Sequence, residues 1–262
     1  MMTLEKPFRL ATEEDALQLA ELVNFAGEGL PLHVWAGLAG QDEDPWEIGR
    51  ARQARKARNG EVIVVDNGSG AFAGLTGYAI GTEPQPVGID IPALFRPLLE
   101  LENCAPESWY INVLACYPAA RGQGIGSRLL RLAEEIAVSE GLGRLSVIVA
   151  SDNAGARRLY GRHGFKEVAR KGCVKEGWDT ATDQWLLLMK PVSRAEVRTG
   201  DLPAQDVSYV LGAGRSREQT NEAKVIGPGF ELRFGILEHM RCRSERSRRW
   251  TGYGFPTPVV AS

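Results

Sequence analysis

The strongest constraint on what this chain can fold into is the run Trp109-Tyr110-Ile111-Asn112-Val113-Leu114-Ala115-Cys116-Tyr117-Pro118, followed closely by Arg121-Gly122-Gln123-Gly124-Ile125-Gly126. The aromatic and branched residues, ended by a proline that cannot donate to a ladder, read as a buried strand. Leu129, Leu132, Ala133, Ile136 and Ala137 then recur at helical spacing up to a stop near Gly141. A strand, a glycine turn and a helix in that order make an anion-binding device. The turn exposes consecutive main-chain N–H groups, the helix adds the positive end of its dipole, and the glycines let a phosphate approach the backbone. Arg121 can add a charged donor.

Two common phosphate loops fail on spacing. A dinucleotide fingerprint needs a glycine three positions after Gly124, where Ser127 stands, and counting from Gly124 and Gly126 the third place is Leu129. A P-loop needs Gly-Lys-Ser/Thr at its end, and the chain has none there. Taken alone, the turn is equally compatible with a tight strand-to-helix connection.

The flanking pattern is that of a mixed α/β sheet. A short strand at Phe8 to Ala11 leads, through Thr12 and Asp15 as a capping pair, into a helix over residues 13–26. Residues 27–60 are broken by Gly27, Gly29, Pro31, Gly37 and Gly40, and then carry a basic helical stretch from Trp46 to Arg58. Residues 61–66 and 71–80 flank Asn67-Gly68-Ser69-Gly70 and read as a hairpin. Residues 81–107, with five prolines and an apolar stretch at Leu94 to Leu101, form an excursion that serves as a lid, a binding loop or plain surface. Further on come a strand at Leu145 to Ala150, a helix from Asn153 to a stop at Gly164, and strands at 167–175 and 184–189. The domain is expected to span 7–191. Residues 192–262 lack sustained periodicity and read as a basic, poorly ordered extension of unassigned function.

Composition removes whole classes of function. At 44% hydrophobic and 24% charged residues, the chain is neither collagen, coiled coil nor disordered throughout. Thirty-one basic against 33 acidic side chains give a net charge of −2, which does not favour nucleic acid or an anionic membrane. The balance is uneven, since residues 193–262 hold 11 basic and 8 acidic side chains. Cys104, Cys116, Cys173 and Cys242 are scattered, with no ligand-like spacing to His33, His163 or His239, so neither a metal site nor a disulfide framework is expected. The charged start and the lack of a long apolar run fit a cytoplasmic protein.

Arg121-x-x-Gly124-x-Gly126, preceded by Leu114-Ala115-Cys116-Tyr117-Pro118, resembles the acetyl-CoA pyrophosphate loop of the GNAT superfamily of N-acetyltransferases. Asn153-x-x-Ala156-x-x-Leu159-Tyr160-x-x-x-Gly164-Phe165 is similar to the second signature of that superfamily. The resemblance covers residues 109–165. It implies an α/β acyl-CoA N-acyltransferase fold: a mixed central sheet with a splayed strand pair, flanked by helices. It further implies that main-chain groups of Leu114, Ala115 and Cys116 pair with the pantetheine arm like an added strand. One N–H of that stretch would stabilise the oxyanion. Arg121 and the amides of Gly122, Gln123, Gly124, Ile125, Gly126 and Ser127 would hold the pyrophosphate, and Asn153 the cofactor arm. Asn153 also suits a helix N-cap, and the two uses compete.

Tyr160 is the implied catalytic acid. With reference pKa values near 10 for a phenol and about 8.5 for a thiol, protonating the departing thiolate is uphill by about 2 kcal/mol. The carboxylate that many relatives use as general base is missing, because the matching places hold Tyr110, Asn112 and Ile148. A water relay to Glu100, Glu102 or His33, or delivery of a neutral amine, would replace it. Cys116 reads as a buried, inert thiol rather than a nucleophile, and His163 as a helix C-terminal residue favoured by the dipole. The arginines from 50 to 58 read as a solvated helix face, with steering of an acidic acceptor or of the CoA ribose phosphate as the other use. The expected activity is acetyl transfer from acetyl-CoA to a primary amine, small-molecule or peptide, by direct attack in a ternary complex. A non-catalytic acyl-CoA-binding module is the alternative. No metal is expected, and a homodimer is left open.

Overall fold

The computed structural model describes residues 4–89 and 91–193, so the extension from 194 onward, and the expectation about its order, lie outside the described residues. Seven strands and six α-helices follow one another as β1 (Phe8–Leu10), α1 (Ala16–Ala26), α2 (Leu30–Leu38), α3 (Pro45–Arg58), β2 (Ile63–Asp66), β3 (Ala71–Ala79), α4 (Arg96–Glu102), β4 (Trp109–Cys116), α5 (Ile125–Ser139), β5 (Arg144–Ala150), α6 (Ala154–Arg162), β6 (Lys166–Gly172) and β7 (Gln184–Pro191). The strands form one sheet in the order β1-β2-β3-β4-β5-β7-β6. Every neighbouring pair is antiparallel except β4 and β5. This is the mixed α/β sheet the sequence calls for.

Local chemistry explains most boundaries. Residues 13–15 form one 3₁₀ turn rather than the first turn of α1, because Asp15 Oδ2 accepts from Thr12 N at 2.8 Å and turns inward to Arg9. The Arg9 guanidinium also meets Asp66 at 2.7 Å, tying β1 and β2 to the start of α1. Helix α2 is an element that the glycine-rich reading of residues 27–40 missed. Gly29, at φ 84°, turns the chain and Pro31 lies in the first turn, where its missing N–H costs nothing. Asn24 Oδ1 accepts from Leu32 N at 3.0 Å and holds the new helix against α1. Asp44 caps α3 by accepting from Trp46 N at 3.0 Å.

The sheet is buried on both faces. On one, α5 packs Leu129, Leu130, Ala133 and Ile136 against Leu75, Trp109 and other strand residues. Seven residues of α5 are buried, and at about 2 kcal/mol for each large one, that face decides where the helix lies. On the other, Leu22 of α1 meets Val113 and Ala115 of β4, and Leu98, Leu99 and Leu101 of α4 meet Trp185 and Leu187 of β7. The excursion at 81–107 is closed at its base by Ile80 N to Ser108 O (2.8 Å) and Glu107 N to Ile80 O (3.1 Å). Asn103 clamps Gln85 through both its side-chain atoms at 2.8 Å. The segment is thus a built part of the sheet's second face, positioned by α4.

Strands β4 and β5 share only three register pairs, Trp109 with Leu145, Tyr110 with Ser146 and Ile111 with Val147. Beyond these they part. β4 continues along β3 to Cys116, and β5 along β7 to Ala150. The paired end is locked by Trp109, whose indole lies across Gly77 of β3: a methyl group on Gly77 would come within 2.3 Å of Trp109 Cη2. Gly77→Ala is therefore expected to lower stability by about 1–3 kcal/mol. Gly81→Ala, where a methyl group meets nothing within 4 Å, should change it by less than about 0.5 kcal/mol. Urea unfolding of the two variants checks this.

Candidate active site

The site is built on the parting of β4 and β5. On the β3 side, Val113 lies opposite Thr76 and Ile111 opposite Gly77, so Asn112 is an extra, bulged residue with no register partner on either neighbour. From Asn112 to Cys116 the edge of β4 facing β5 carries main-chain groups that no strand pairs. Alternation sends Val113 and Ala115 toward α1, and Leu114 and Cys116 toward the α5 face. Burial pushes the Cys116 thiol above its ordinary range, with Arg121 pulling the other way, in keeping with an unreactive cysteine.

At the end of β4 the chain enters the glycine turn. Gly122 and Gly124 have φ of 78° and 77°, left-handed values that glycine adopts without strain. Among the described residues, no main-chain amide from Gly122 to Ser127 donates to a carbonyl, so the start of α5 presents a row of open donors. Arg121 to Gly124 are exposed, while Ile125 sends its side chain into the core and offers only its backbone. Gly126 is required by packing: a methyl group there would come within 2.8 Å of Leu159 Cδ2 on α6. These residues fit a pyrophosphate by charge and donor supply.

Helix α6 begins where β5 ends, on the far side of the parting. Asn153 caps it, accepting from Ala156 N at 2.9 Å, and donates through Nδ2 to Glu28 Oε1 at 2.5 Å. The cap foreseen for this residue is formed through its oxygen, while its nitrogen is bonded to Glu28. Glu28 is a residue that sequence reading missed. It sits in the α1–α2 turn at φ 53°, and desolvation, opposed by the Asn153 hydrogen bond and Arg121, raises its pKa above the usual carboxylate value. Tyr160 is 5% exposed, its ring tilted against Phe165 with centroids 5.3 Å apart. Burial pushes the phenol pKa well upward, so it stays protonated throughout the neutral range. His163 ends α6, but its Nε2 meets Ser127 Oγ at 2.9 Å, and burial lowers its pKa instead of the dipole raising it. That contact and the Gly126–Leu159 approach bring the two motif halves together.

Across the sheet from α5 lies a cleft of about 80 Å³. Asn112, Val113 and Ile148 form its floor at the parting, with Thr76 and Trp185 beside them. Helices α1 and α2 supply apolar walls, among them Leu30 and Trp35, and α4 supplies Leu98. Helix α3 supplies Arg52, Gln53, Arg55 and Lys56. The arginine-rich helix is therefore not simply a solvated face. Of the tryptophans, Trp35 and Trp185 line the cleft, Trp46 meets Trp35 edge-on and Trp178 stacks on Trp185 at 5.9 Å. The three groups considered as distant bases lie elsewhere: Glu100 pairs with Lys171 at 2.7 Å, Glu102 accepts from Tyr78 Oη at 3.0 Å, and His33 is outside the lining. Among the described residues no cluster of side chains could hold a metal ion, and no helix is long and apolar enough to cross a membrane.

Residues 32–165, just over half of the chain, match the family model described as "Acetyltransferase (GNAT) family". The chain belongs to the GNAT acetyltransferase family. Over 60 residues, 23% of its length, it is 43% identical to mycothiol acetyltransferase of Jonesia denitrificans. That stretch is 19% of the relative, so the chain spans about a fifth of the curated protein it matches. It is also similar to the solved structures of a ribosomal-protein-alanine N-acetyltransferase from Brucella melitensis (21% identity, TM-score 0.46, covering 71% of this chain and 99% of that one) and of PaiA N-acetyltransferase from Thermoplasma acidophilum in complex with coenzyme A (15%, 0.45, 72% and 99%).

Within this GNAT domain the two jobs of Asn153 can be separated. Asn153→Ser keeps a capping oxygen but loses the hydrogen bond to Glu28, and Asn153→Ala loses both, so the alanine variant should be the less stable of the two by about 1 kcal/mol. Both should weaken acetyl-CoA binding several-fold, read by calorimetry, if the amide holds the cofactor arm. Glu28 gives a second expectation. A carboxyl whose folded pKa is raised contributes stability below its unfolded value and loses that contribution as pH rises through the folded one. Glu28→Gln, which can still accept from Asn153, should therefore stabilise the protein at pH 7–8 and change little at pH 4, as melting temperatures across that range would show.

Proposed function

We propose that the protein is an acetyl-CoA-dependent N-acetyltransferase in which a primary amine attacks the thioester directly within a ternary complex. The observation that carries this reading is the parting of β4 and β5, which has the open amides of Gly122 to Ser127 at one end and the cleft floored by Asn112 and Ile148 on the other face. In this reading the pyrophosphate sits on those amides and on Arg121, and the arm runs as an added strand along Leu114, Ala115 and Cys116. The thioester then reaches the bulge at Asn112. A bulged N–H is a donor the ladder does not consume, suited to the oxyanion of the tetrahedral intermediate.

The amine nitrogen forms its bond to the acyl carbon, the C–S bond breaks, and CoA leaves as a thiolate that takes up the proton the nitrogen loses in becoming an amide. Burial of Tyr160 widens the gap of about 2 kcal/mol between free phenol and thiol, so its part is to donate a hydrogen bond to the developing thiolate. Among the described residues that line the cleft there is no carboxylate. The catalytic domain in this reading is 7–191, with the remainder an extension of unassigned function.

Release of CoA thiol across amines, amino acids, polyamines, aminoglycosides and peptides tests the reading. Acetyl-CoA binding without thiol release for any acceptor would instead mark an acyl-CoA-binding module. Tyr160→Phe should lower kcat by about 10²-fold with KM little changed. Its melting temperature should stay near that of the parent, because the phenol makes no hydrogen bond to a described residue. Undiminished turnover would remove Tyr160 from the chemistry.

A further inference from the structure

Glu28 belongs neither to the core nor to the acyl-transfer steps, yet it sits where both sides of the parting meet the cleft. It stands in the turn between α1 and α2 at φ 53°, a left-handed value that is strained for a residue with a side chain. The turn is tightly made. Gly29 N donates to Asn24 O at 3.0 Å and Leu30 N to Gly27 O at 2.9 Å, and a methyl group on Gly29 would lie 3.7 Å from Trp178 Nε1. Gly27, just before Glu28, and Leu30, two residues after it, line the cleft.

From this turn the carboxylate reaches the start of α6, where Oε1 accepts from Asn153 Nδ2 at 2.5 Å. Asn153 Oδ1 is committed to the helix cap, so the nitrogen is what the amide can offer to a ligand, and Glu28 already holds it. On the opposite side of the parting, Arg121 is close enough to act on the charge of Glu28 as well as on that of Cys116. Desolvation, the largest influence on Glu28, and Asp152 oppose its ionised form, while Asn153 and Arg121 favour it. A strained backbone and a half-buried charge both cost folding free energy, a cost met with where a site makes use of the residue.

Asn153 and Arg121 are also the groups that the cofactor takes in the N-acetyltransferase reading, the arm through the amide and the pyrophosphate through the guanidinium. A carboxylate that engages both competes with an anionic ligand for them. Resting on that reading, we propose that Glu28 is a latch: it engages Asn153 and Arg121 in the free enzyme, yields them when acetyl-CoA enters, and returns to them as CoA departs. A contact made only in the free enzyme weakens binding of the ligand that displaces it by the same free energy. The latch therefore lowers the affinity for CoA and speeds the emptying of the site after acyl transfer.

Calorimetric binding of CoA and of acetyl-CoA to the full chain tests the latch without any acceptor. Glu28→Gln keeps the size and an accepting oxygen but removes the charge, and it should bind both about 3- to 10-fold more tightly than the parent at pH 8. That advantage should shrink toward pH 5, because the raised pKa lets the parent's carboxyl take up a proton and become as neutral as the glutamine. Glu28→Ala, which removes the contact altogether, should also bind CoA more tightly than the parent and serves if the glutamine variant does not fold. Unchanged or weaker binding by these variants overturns the latch, and so does a gain for Glu28→Gln that stays constant between pH 8 and pH 5. A further measurement uses the parent alone. The side-chain amide resonances of Asn153 should titrate with Glu28 in the free protein and cease to do so with CoA bound; titration that persists in the complex overturns the latch. If the parent binds neither CoA nor acetyl-CoA, the acetyltransferase reading fails and the latch with it. If the parent binds them and the variants bind no more tightly, the latch alone fails.

Discussion

Two neighbouring strands that answer to different partners set the rest of this structure. β4 is held along its length by β3, and β5 by β7, so the two share only the three residue pairs at their start. A sheet would ordinarily lose hydrogen bonds by such a parting. Here the loss is confined to one edge of each strand, and the helices that follow, α5 and α6, begin at its two sides with their positive ends available. The unpaired main chain of β4 and the open amides of the glycine turn are thus parts of one continuous donor and acceptor surface.

What made this half of the site legible is that its chemistry is local in sequence. A left-handed turn between strand and helix needs glycine at particular positions, and Gly122 and Gly124 occupy them. A helix start needs a cap, and Asn153 provides it within three residues of its partner. Strong helical periodicity likewise identified α5. The hairpin of β2 and β3 announced itself through Asn67-Gly68-Ser69-Gly70, though the first strand starts at Ile63 rather than Glu61.

The rest depends on contacts between residues far apart. Glu28 and Asn153 are separated by 125 positions, and no pattern in either segment foretells their hydrogen bond. The bulge at Asn112 is a matter of register, which an ordinary-looking strand does not reveal. Helix α2 was obscured because Gly29 and Pro31 are breakers in a helix interior but tolerated, even favoured, at its beginning. His163 does end α6 as the local rule has it, but its contact with Ser127, 36 positions away, is a tertiary feature that no local pattern foretells. The near-neutral total charge likewise hid a cleft that Arg52, Arg55 and Lys56 help to line.

The cleft wall also carries a joint between α2 and α3. Gly49 of α3 lies so close to Trp35 that a methyl group there would come within 2.5 Å of the indole. The same tryptophan lines the cleft, and Gly49 stands three residues before Arg52, which lines it too. Shape and charge in the cleft are therefore not independent degrees of freedom. A lineage, or a designer, that reshapes the apolar wall at Trp35 shifts the helix that presents the arginines, and one that enlarges position 49 moves the wall. The shape of the cleft should accordingly drift by linked steps across both helices.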